Sequence, residues 1–469
     1  MESLSEPAKS DRSHNDTIVA ISTPPGRGGI GIVRLSGSDS ATIALSIVRL
    51  RSPLTHAQVR FGEVLEPAAT QEQSGKRERI DEALVTWFAA PNSYTGEDLV
   101  EIAAHGSPVV LDLIVRQAII GGARLADPGE FTQRAFLSRR IDLTQAEAVR
   151  DLIDAQTLYQ ARVAAQQLGG ALSRRIHPIK HDLVALIATL EAGIDFAEDD
   201  VDVMGNEEIL QRLRQVRLPL SLVAASFEQG RIVHSGLSMA IVGLPNAGKS
   251  SLFNRIAERE RAIVTANPGT TRDLVTERVS IGGIPLELID TAGLREASDE
   301  AESIGIQKTR EALSEADLVM LVVDASAVRK SEETELLDVL GRRPALIAWN
   351  KCDLVDENQI PGTLASRTVV RTSAKTGEGI DELRRQILAA VGAGGEPQSG
   401  LLTNLRQSNA VSEAVQALDA AECAVTNRTP HEMLLLDLYG SLRELDALTG
   451  ETTSDDILNL IFSTFCIGK

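Results

Sequence analysis

Gly243-Leu244-Pro245-Asn246-Ala247-Gly248-Lys249-Ser250 is the stretch from which the rest of the chain can be read. The apolar run 238–242 precedes it and a helix-spaced run, 251–257, follows. The sequence therefore predicts a strand, a glycine-bearing loop and a helix in succession, the context of a P-loop. Glycines let backbone amides surround phosphate oxygens, and the start of the next helix adds favourable partial charge. Lys249 would reach the β and γ phosphates and Ser250 would ligate Mg²⁺, with Asn246, Ala247, Gly248 and Ser251 completing the phosphate-binding set.

Four features downstream belong with it. Gly269-Thr270-Thr271-Arg272-Asp273 offers a hydroxyl to a switch loop that closes on Mg²⁺. Asp290-Thr291-Ala292-Gly293 ends an apolar run with an acid that can orient magnesium's water shell and an amide that can sense the γ-phosphate. Asn350-Lys351-Cys352-Asp353 follows the apolar strand 345–349, and the Asp353 carboxylate can accept from guanine N1 and N2 hydrogens, which adenine does not offer. Ser373-Ala374-Lys375 completes the base pocket. Order and spacing resemble those of the translation-factor-type GTPases and predict GTP hydrolysis. After the aspartate-to-glycine motif stands Leu294, where Ras-like enzymes place a water-orienting Gln, so another polar residue must take that role; the acid-rich run 295–302 supplies candidates. No cis arginine finger, a device worth about 10³–10⁵ in rate, is evident. A monovalent cation could supply the charge, with Asn246 either its neutral oxygen ligand or simply a turn-favouring residue.

At 469 residues the chain has room for about three domains. Its 43 % hydrophobic and 24 % charged residues exclude a disordered or collagen-like chain, and with 3 % aromatics the cores must rest on Leu, Ile, Val and Ala. No apolar run approaches a membrane span. The polar, acid-containing opening resembles neither a signal nor a transit peptide, and the three cysteines lack metal or disulfide spacing. A cytoplasmic protein with no membrane partner is expected. The 47 basic and 66 acidic residues give a net charge of −19, which disfavours a general electrostatic grip on nucleic acid. An RNA substrate would need a local basic patch or a basic partner.

Strands at 17–22 and 30–35 joined by the turn-rich 24–29, a strand at 83–88 and a helix over 107–119 make 1–140 an α+β domain. Thr144 and Glu147 fit a capping box that opens a helical region. Further helical spacing covers 181–195, 206–230, 408–425, 431–448 and 455–465. Between these lies 235–392, where apolar strands alternate with helices, closed by a linker at 392–397. The expected architecture is multidomain α/β and α: an N-terminal domain (1–140), a helical domain in two parts (141–234 and 393–469), and a Ras-like P-loop domain (235–392) inserted between them. The acid run 195–202 reads as a solvated loop.

With these residues in view, the chain resembles the MnmE (TrmE) family of tRNA-modification GTPases, within the TrmE-Era-EngA-like group. The resemblance rests on DTIVAISTPPGRGGIGIVRLSG from Asp16, PNSYTGED from Pro91, DPGEFTQRAF from Asp127, RIDLTQAEAVRDLIDA from Arg140, DTAGLREASDEAE from Asp290 and the terminal FCIGK. It implies a folate-binding, dimerising N-terminal domain and a homodimer that joins the FAD-dependent flavoprotein MnmG in a heterotetramer. It implies modification of wobble uridine at carbon 5 in tRNA, with one carbon from 5-formyl- or methylene-tetrahydrofolate and an amine from glycine or ammonia. GTP hydrolysis would depend on K⁺-promoted pairing of two G domains. By matched position, K⁺ would be held by the Asn246 side chain and the loop Thr265-Ala266-Asn267-Pro268-Gly269-Thr270, through the carbonyls of Thr265 and Asn267 with Thr270 nearby. Mg²⁺ would sit on Ser250 and Thr271. Glu302 matches the family's catalytic glutamate, which orients the attacking water through a bridging water. Arg34, Glu101, Arg140 and Lys469 match folate-binding positions; Arg140 stands where the family often carries Lys, and Asn267-Pro268 departs from the common K⁺ loop. Cys466 reads equally as a reactive thiol or a small apolar tail residue. The competing reading is a ribosome-assembly switch resembling Era or Der, which share the nucleotide motifs but append a KH-like RNA-binding domain. No GXXG-type clamp is recognisable here.

Overall fold

The computed structural model describes residues 16–67, 77–195, 204–257, 276–290, 316–327, 341, 343–355, 367–390, 392, 400–452, 458 and 461–468. The chain forms two compact units, Met1–Glu147 with Gly450–Lys469, and Ala148–Thr449.

In the first unit, β1 (Ile18–Ile21) and β2 (Gly28–Ser36) form the hairpin the sequence predicts. Helix α1 (Ser40–Ile47) and strands β3 (Val48–Leu50), β4 (Val59–Leu65), β5 (Arg79–Phe88) and β6 (Leu99–Gly106) follow. Helix α2 (Pro108–Ile120), strand β7 (Arg124–Leu125) and helix α3 (Glu130–Leu137) complete the N-terminal part. The sheet runs β3-β4-β5-β6-β2-β1-β7. Alternate residues of its strands, among them Val19, Val33, Val100 and Ile102, pack with Ile43, Leu111 and Ile114 of α1 and α2 into one core. On the opposite face Phe61 and Leu84, cross-strand neighbours, stay exposed. The C-terminal segment joins this unit: Phe462 is buried and meets the rings of Phe136 and Phe465 at tilted angles.

Helix α4 (Leu143–Asp154) begins two residues earlier than the Thr144 cap implies. Asp142 Oδ1 accepts from the Gln145 amide at 2.9 Å, and Gln145 Oε1 accepts from the Asp142 amide at 3.0 Å. This reciprocal pair is a capping box shifted two residues upstream. Asp142 displaces Thr144 from the cap because its carboxylate is the stronger acceptor, and Thr144 itself donates to Asp142 at 2.7 Å. The helical run also breaks, since Thr157 caps a separate α5 (Leu158–Leu168) by accepting from Gln160 N.

The second unit continues with α6 (Ala171–Asp195), α7 (Asn206–Ala224) and α8 (Phe227–Ser235). The inserted sheet is built from β8 (Leu237–Val242), β9 (Thr276–Ile281), β10 (Ile284–Asp290), β11 (Leu318–Asp324), β12 (Ala345–Asn350) and β13 (Thr368–Arg371). Its helices among the described residues are α9 (Lys249–Ala257) and α10 (Ile380–Ala390). The order is β13-β12-β11-β8-β10-β9, parallel except for β9, which is the Ras-like arrangement. The central strands read as continuous apolar runs because helices cover parallel sheets on both faces. Helices α11 (Leu405–Thr426) and α12 (His431–Thr449) return to α6 and α7, closing a four-helix core lined by Leu183, Leu213, Leu418 and Leu438.

One joint inside this unit escapes the sequence. Val163 of α5 and Ile232 and Val233 of α8 belong to the core beneath the inserted sheet, and Tyr159 packs against it. The Thr157 hydroxyl donates to the Gly283 carbonyl in the β9–β10 turn. Gly283 has φ +84°, and a Cβ there would lie 2.6 Å from Cβ of Tyr159, so only glycine admits this approach. Gln160 Nε2 donates to the carbonyls of Val233 (3.0 Å) and His234 (2.9 Å), just before β8.

Candidate nucleotide-binding site

The P-loop follows the C-terminal end of β8, where crevices of parallel sheets take ligands. Asn246 is held in the left-handed region at φ 65°, a conformation that asparagine tolerates, and Gly248 at φ +93°. A Cβ on Gly248 would lie 2.3 Å from Asn350 Nδ2, so the loop folds directly onto the end of β12. Helix α9 opens at Lys249, leaving its first amides turned towards the loop. Lys249 Nζ donates to the carbonyls of Gly243 and Leu244, each at 3.0 Å. Ala247 is buried, while Asn246, Ser250 and Ser251 are exposed.

Asn350, 1 % exposed, bridges two parts of the site. Its Nδ2 donates to the Ala247 carbonyl at 2.9 Å, and its Oδ1 accepts from the Ala374 amide at 3.1 Å. Lys351, at φ 65°, turns the chain after β12 and pairs with Asp324 at 2.6 Å. Burial opposes ionisation of Asp324, but hydrogen bonds from Lys351 and Ser326 and the lysine's charge outweigh it and hold the carboxyl below its usual range. Burial pushes the Cys352 thiol up, so it stays a neutral packing group. Asp353 is exposed at the mouth. Ser373 is buried and braces its own loop: the Thr376 amide donates to its hydroxyl at 3.1 Å and the Gly377 amide to its carbonyl at 2.9 Å. Lys375 is exposed. The structure therefore brings together the P-loop, Asn350, Lys351, Asp353 and Ser373-Ala374-Lys375.

In the first unit, Arg34 and Glu101 face each other across β2 and β6, and Glu101 Oε1 accepts from Arg34 Nε and Nη2 at 3.0 and 2.6 Å. The rings of Tyr94 and Phe131 flank the guanidinium at 5.8 and 5.7 Å. Behind them Asp16, Glu97, Arg124, Glu130 and Arg134 form an ion-pair network, Arg134 reaching three of its acids at 2.6–3.0 Å. The tail reaches the same unit: Ser22 Oγ donates to the Gly468 carbonyl at 3.0 Å, and the Gly129 amide to that of Cys466 at 3.4 Å. Cys466 is exposed. Arg140 lies at the α3–α4 junction, its amide bonded to the Ala135 carbonyl.

Thr265, Ala266, Asn267, Pro268, Gly269, Thr270, Thr271, Thr291, Ala292, Gly293, Glu302 and Lys469 lie outside the described residues. Asp290 ends β10, and nothing is described of its side chain.

Sequence comparisons bear on the whole chain. The family profile described as GTP-binding protein TrmE N-terminus matches residues 17–140, and that of the MnmE helical domain matches 143–466. A protein of Koribacter versatilis named tRNA modification GTPase MnmE is 58 % identical over 97 % of this chain and 99 % of its own. The chain belongs to the MnmE family. A second MnmE, from Acetivibrio thermocellus, is 40 % identical over 97 % of this chain and 99 % of its own. Among solved structures, the G domain of the T. maritima FeoB iron transporter is similar to 33 % of this chain over 98 % of its own, at 29 % identity and a TM-score of 0.26. As an MnmE-family member the chain is a GTPase, and GTP and Mg²⁺ are the ligands that its P-loop chemistry requires.

Sequence reading missed Asp324, Tyr94, Phe131 and the Arg124–Arg134 network. Asp324 had a signal, an acid closing the apolar strand β11 beside β12. Glu130 and Arg134, four residues apart on α3, also had one. The ring clamp on Arg34 had none, because it forms only when the sheet assembles.

Proposed function

We propose that this MnmE-family protein is the GTP-hydrolysing component of wobble-uridine C5 modification in tRNA, working with an FAD-dependent partner of the MnmG kind and a tetrahydrofolate one-carbon donor. Residues 1–140 are read as the folate-binding and dimerisation domain, 141–234 and 393–469 as the helical domain, and 235–392 as the inserted G domain. The observation that carries the folate reading is the convergence of Arg34, Glu101 and the tail in one unit. Gly468 bonds Ser22, next to Ile21, whose partner across the hairpin is Val33, the neighbour of Arg34. A pterin's amidine-like edge suits Glu101, and the cations Arg34, Arg140 and Lys469 suit its carboxylates. The exposed apolar face around Phe61 and Leu84 supports a homodimer.

In the G domain Lys249 would offer its ammonium to the β and γ phosphates, and Ser250 and Thr271 would hold Mg²⁺. Asp353 selects guanine. Glu302 orients the attacking water, the role that Leu294 cannot fill. Bound K⁺ would supply positive charge where no cis arginine does, and the side-chain oxygen of Asn246, exposed on a left-handed turn, fits a neutral ligand. Thr265, Asn267 and Thr270 complete that set.

The deciding experiment is GTP turnover in KCl and in NaCl at matched ionic strength, with Glu302→Ala alongside. K⁺ stimulation that vanishes in the variant is expected. Equal rates in both salts would remove the K⁺ reading and leave the GTPase intact. Loss of tRNA modification on omitting the flavoprotein separates this reading from a folate enzyme that merely carries a G domain.

A further inference from the structure

The loop that carries Ser373-Ala374-Lys375 is anchored on two sides. From within, Asn350 ties Ala374 to the P-loop. From without, Arg255 reaches it: this residue stands in the last turn of α9, and its Nη2 donates to the Lys375 carbonyl at 3.1 Å. The root of that contact is fixed as well. Arg384 of α10 donates to the carbonyls of Ile256 (3.0 Å) and Arg255 (3.4 Å), satisfying acceptors that the end of α9 leaves open. Helix α10 begins at Ile380, directly after the loop. The P-loop helix, the base loop and the helix that follows it are therefore closed into a ring by two arginines. Neither arginine belongs to a nucleotide-binding motif.

We propose that Arg255 is a positioning residue for guanine recognition. It holds loop 373–378 at the height where the base is read, so that the helix bearing Lys249 and the loop bearing Ala374 keep one spacing. A cation suits this place because its bond to a carbonyl is charge-assisted and survives partial exposure better than a neutral one. The inference rests on Ser373-Ala374-Lys375 serving as part of the base pocket.

The test uses the full-length protein and its Arg255→Ala, Arg255→Lys and Asp353→Asn variants. Release of a fluorescent GDP is timed by stopped flow, and the relative affinities for GDP, ADP and xanthosine diphosphate are measured by competition. Arg255→Ala should release GDP about five- to tenfold faster, the size expected for one lost hydrogen bond at a partly exposed site. Its GDP-over-ADP preference should fall by a similar factor, with Arg255→Lys between it and the wild type. A general loss of packing or of phosphate contacts would weaken GDP and ADP alike and leave that preference unchanged. An unchanged preference in both Arg255 variants, with Asp353→Asn shifting selectivity towards xanthine, would overturn the proposal while leaving the base pocket where it is read. Unaltered guanine selectivity in Asp353→Asn would overturn both. If Arg255→Ala fails to fold, the intermediate value expected of Arg255→Lys decides.

Discussion

Asn350 does two jobs with one amide, donating to Ala247 and accepting from Ala374, and it does them where water cannot replace either bond. Asn350→Ala should therefore cost about 2–3 kcal/mol of stability, because it leaves buried groups unsatisfied. It should also weaken GDP binding, which calorimetry and nucleotide titration would show together. His234 offers a pH-dependent counterpart. Its Nε2 lies 3.0 Å from Asp151, and that hydrogen bond, assisted by the charges of Asp151 and Asp154 against burial and Arg150, raises its pKa above the ordinary 6.5. A raised folded-state pKa means that the stabilisation is full below 6.5 and is lost as pH rises through the raised value. His234→Gln should lose roughly 1 kcal/mol at acidic pH and almost nothing well above neutrality. Denaturant midpoints at both pH values would check the sign.

The phosphate and base loops were legible because their chemistry is local. The phosphate loop proposed here needs Gly248 and Lys249 side by side, and the proposed guanine reader needs Asn350, Lys351 and Asp353 within one turn. Gly248→Ala should abolish tight nucleotide binding, since the added methyl strains φ +93° and collides with Asn350. Equilibrium titration with GDP would show this. The start of α4 was misread for a reason equally local: two candidate caps stand two residues apart, and only the folded backbone selects Asp142. Asp142→Ala should cost about 1 kcal/mol, and Thr144→Ala should lack that capping loss, as thermal melts would report. The Arg34–Glu101 pair joins positions 67 residues apart, and the tail reaches Ser22 across 446. Such contacts leave no trace in spacing, so residues could be matched individually while their meeting stayed hidden.

At the scale of the molecule, the inserted domain is defined by its motifs over 235–392 yet does not own all of its core. Val163, Ile232 and Val233 lie in the core beneath its sheet, each worth about 1.5–3 kcal/mol when fully buried. A fragment cut at 235 and 392 should unfold at lower denaturant than the same domain in the full chain and should bind a dye specific for exposed apolar surface. The first turn of α5 sharpens the point. Thr157 holds the β9–β10 turn while Gln160 holds the end of α8, two grips within four residues. Chimaeras that exchange residues 235–392 between relatives as a cassette would cross the Thr157 grip and leave a foreign hairpin facing the host's Gln160, Val233 and His234. Grafts should succeed only when this short turn travels with its own hairpin and its own α8, which makes the heritable module larger than the nucleotide-binding fold it carries.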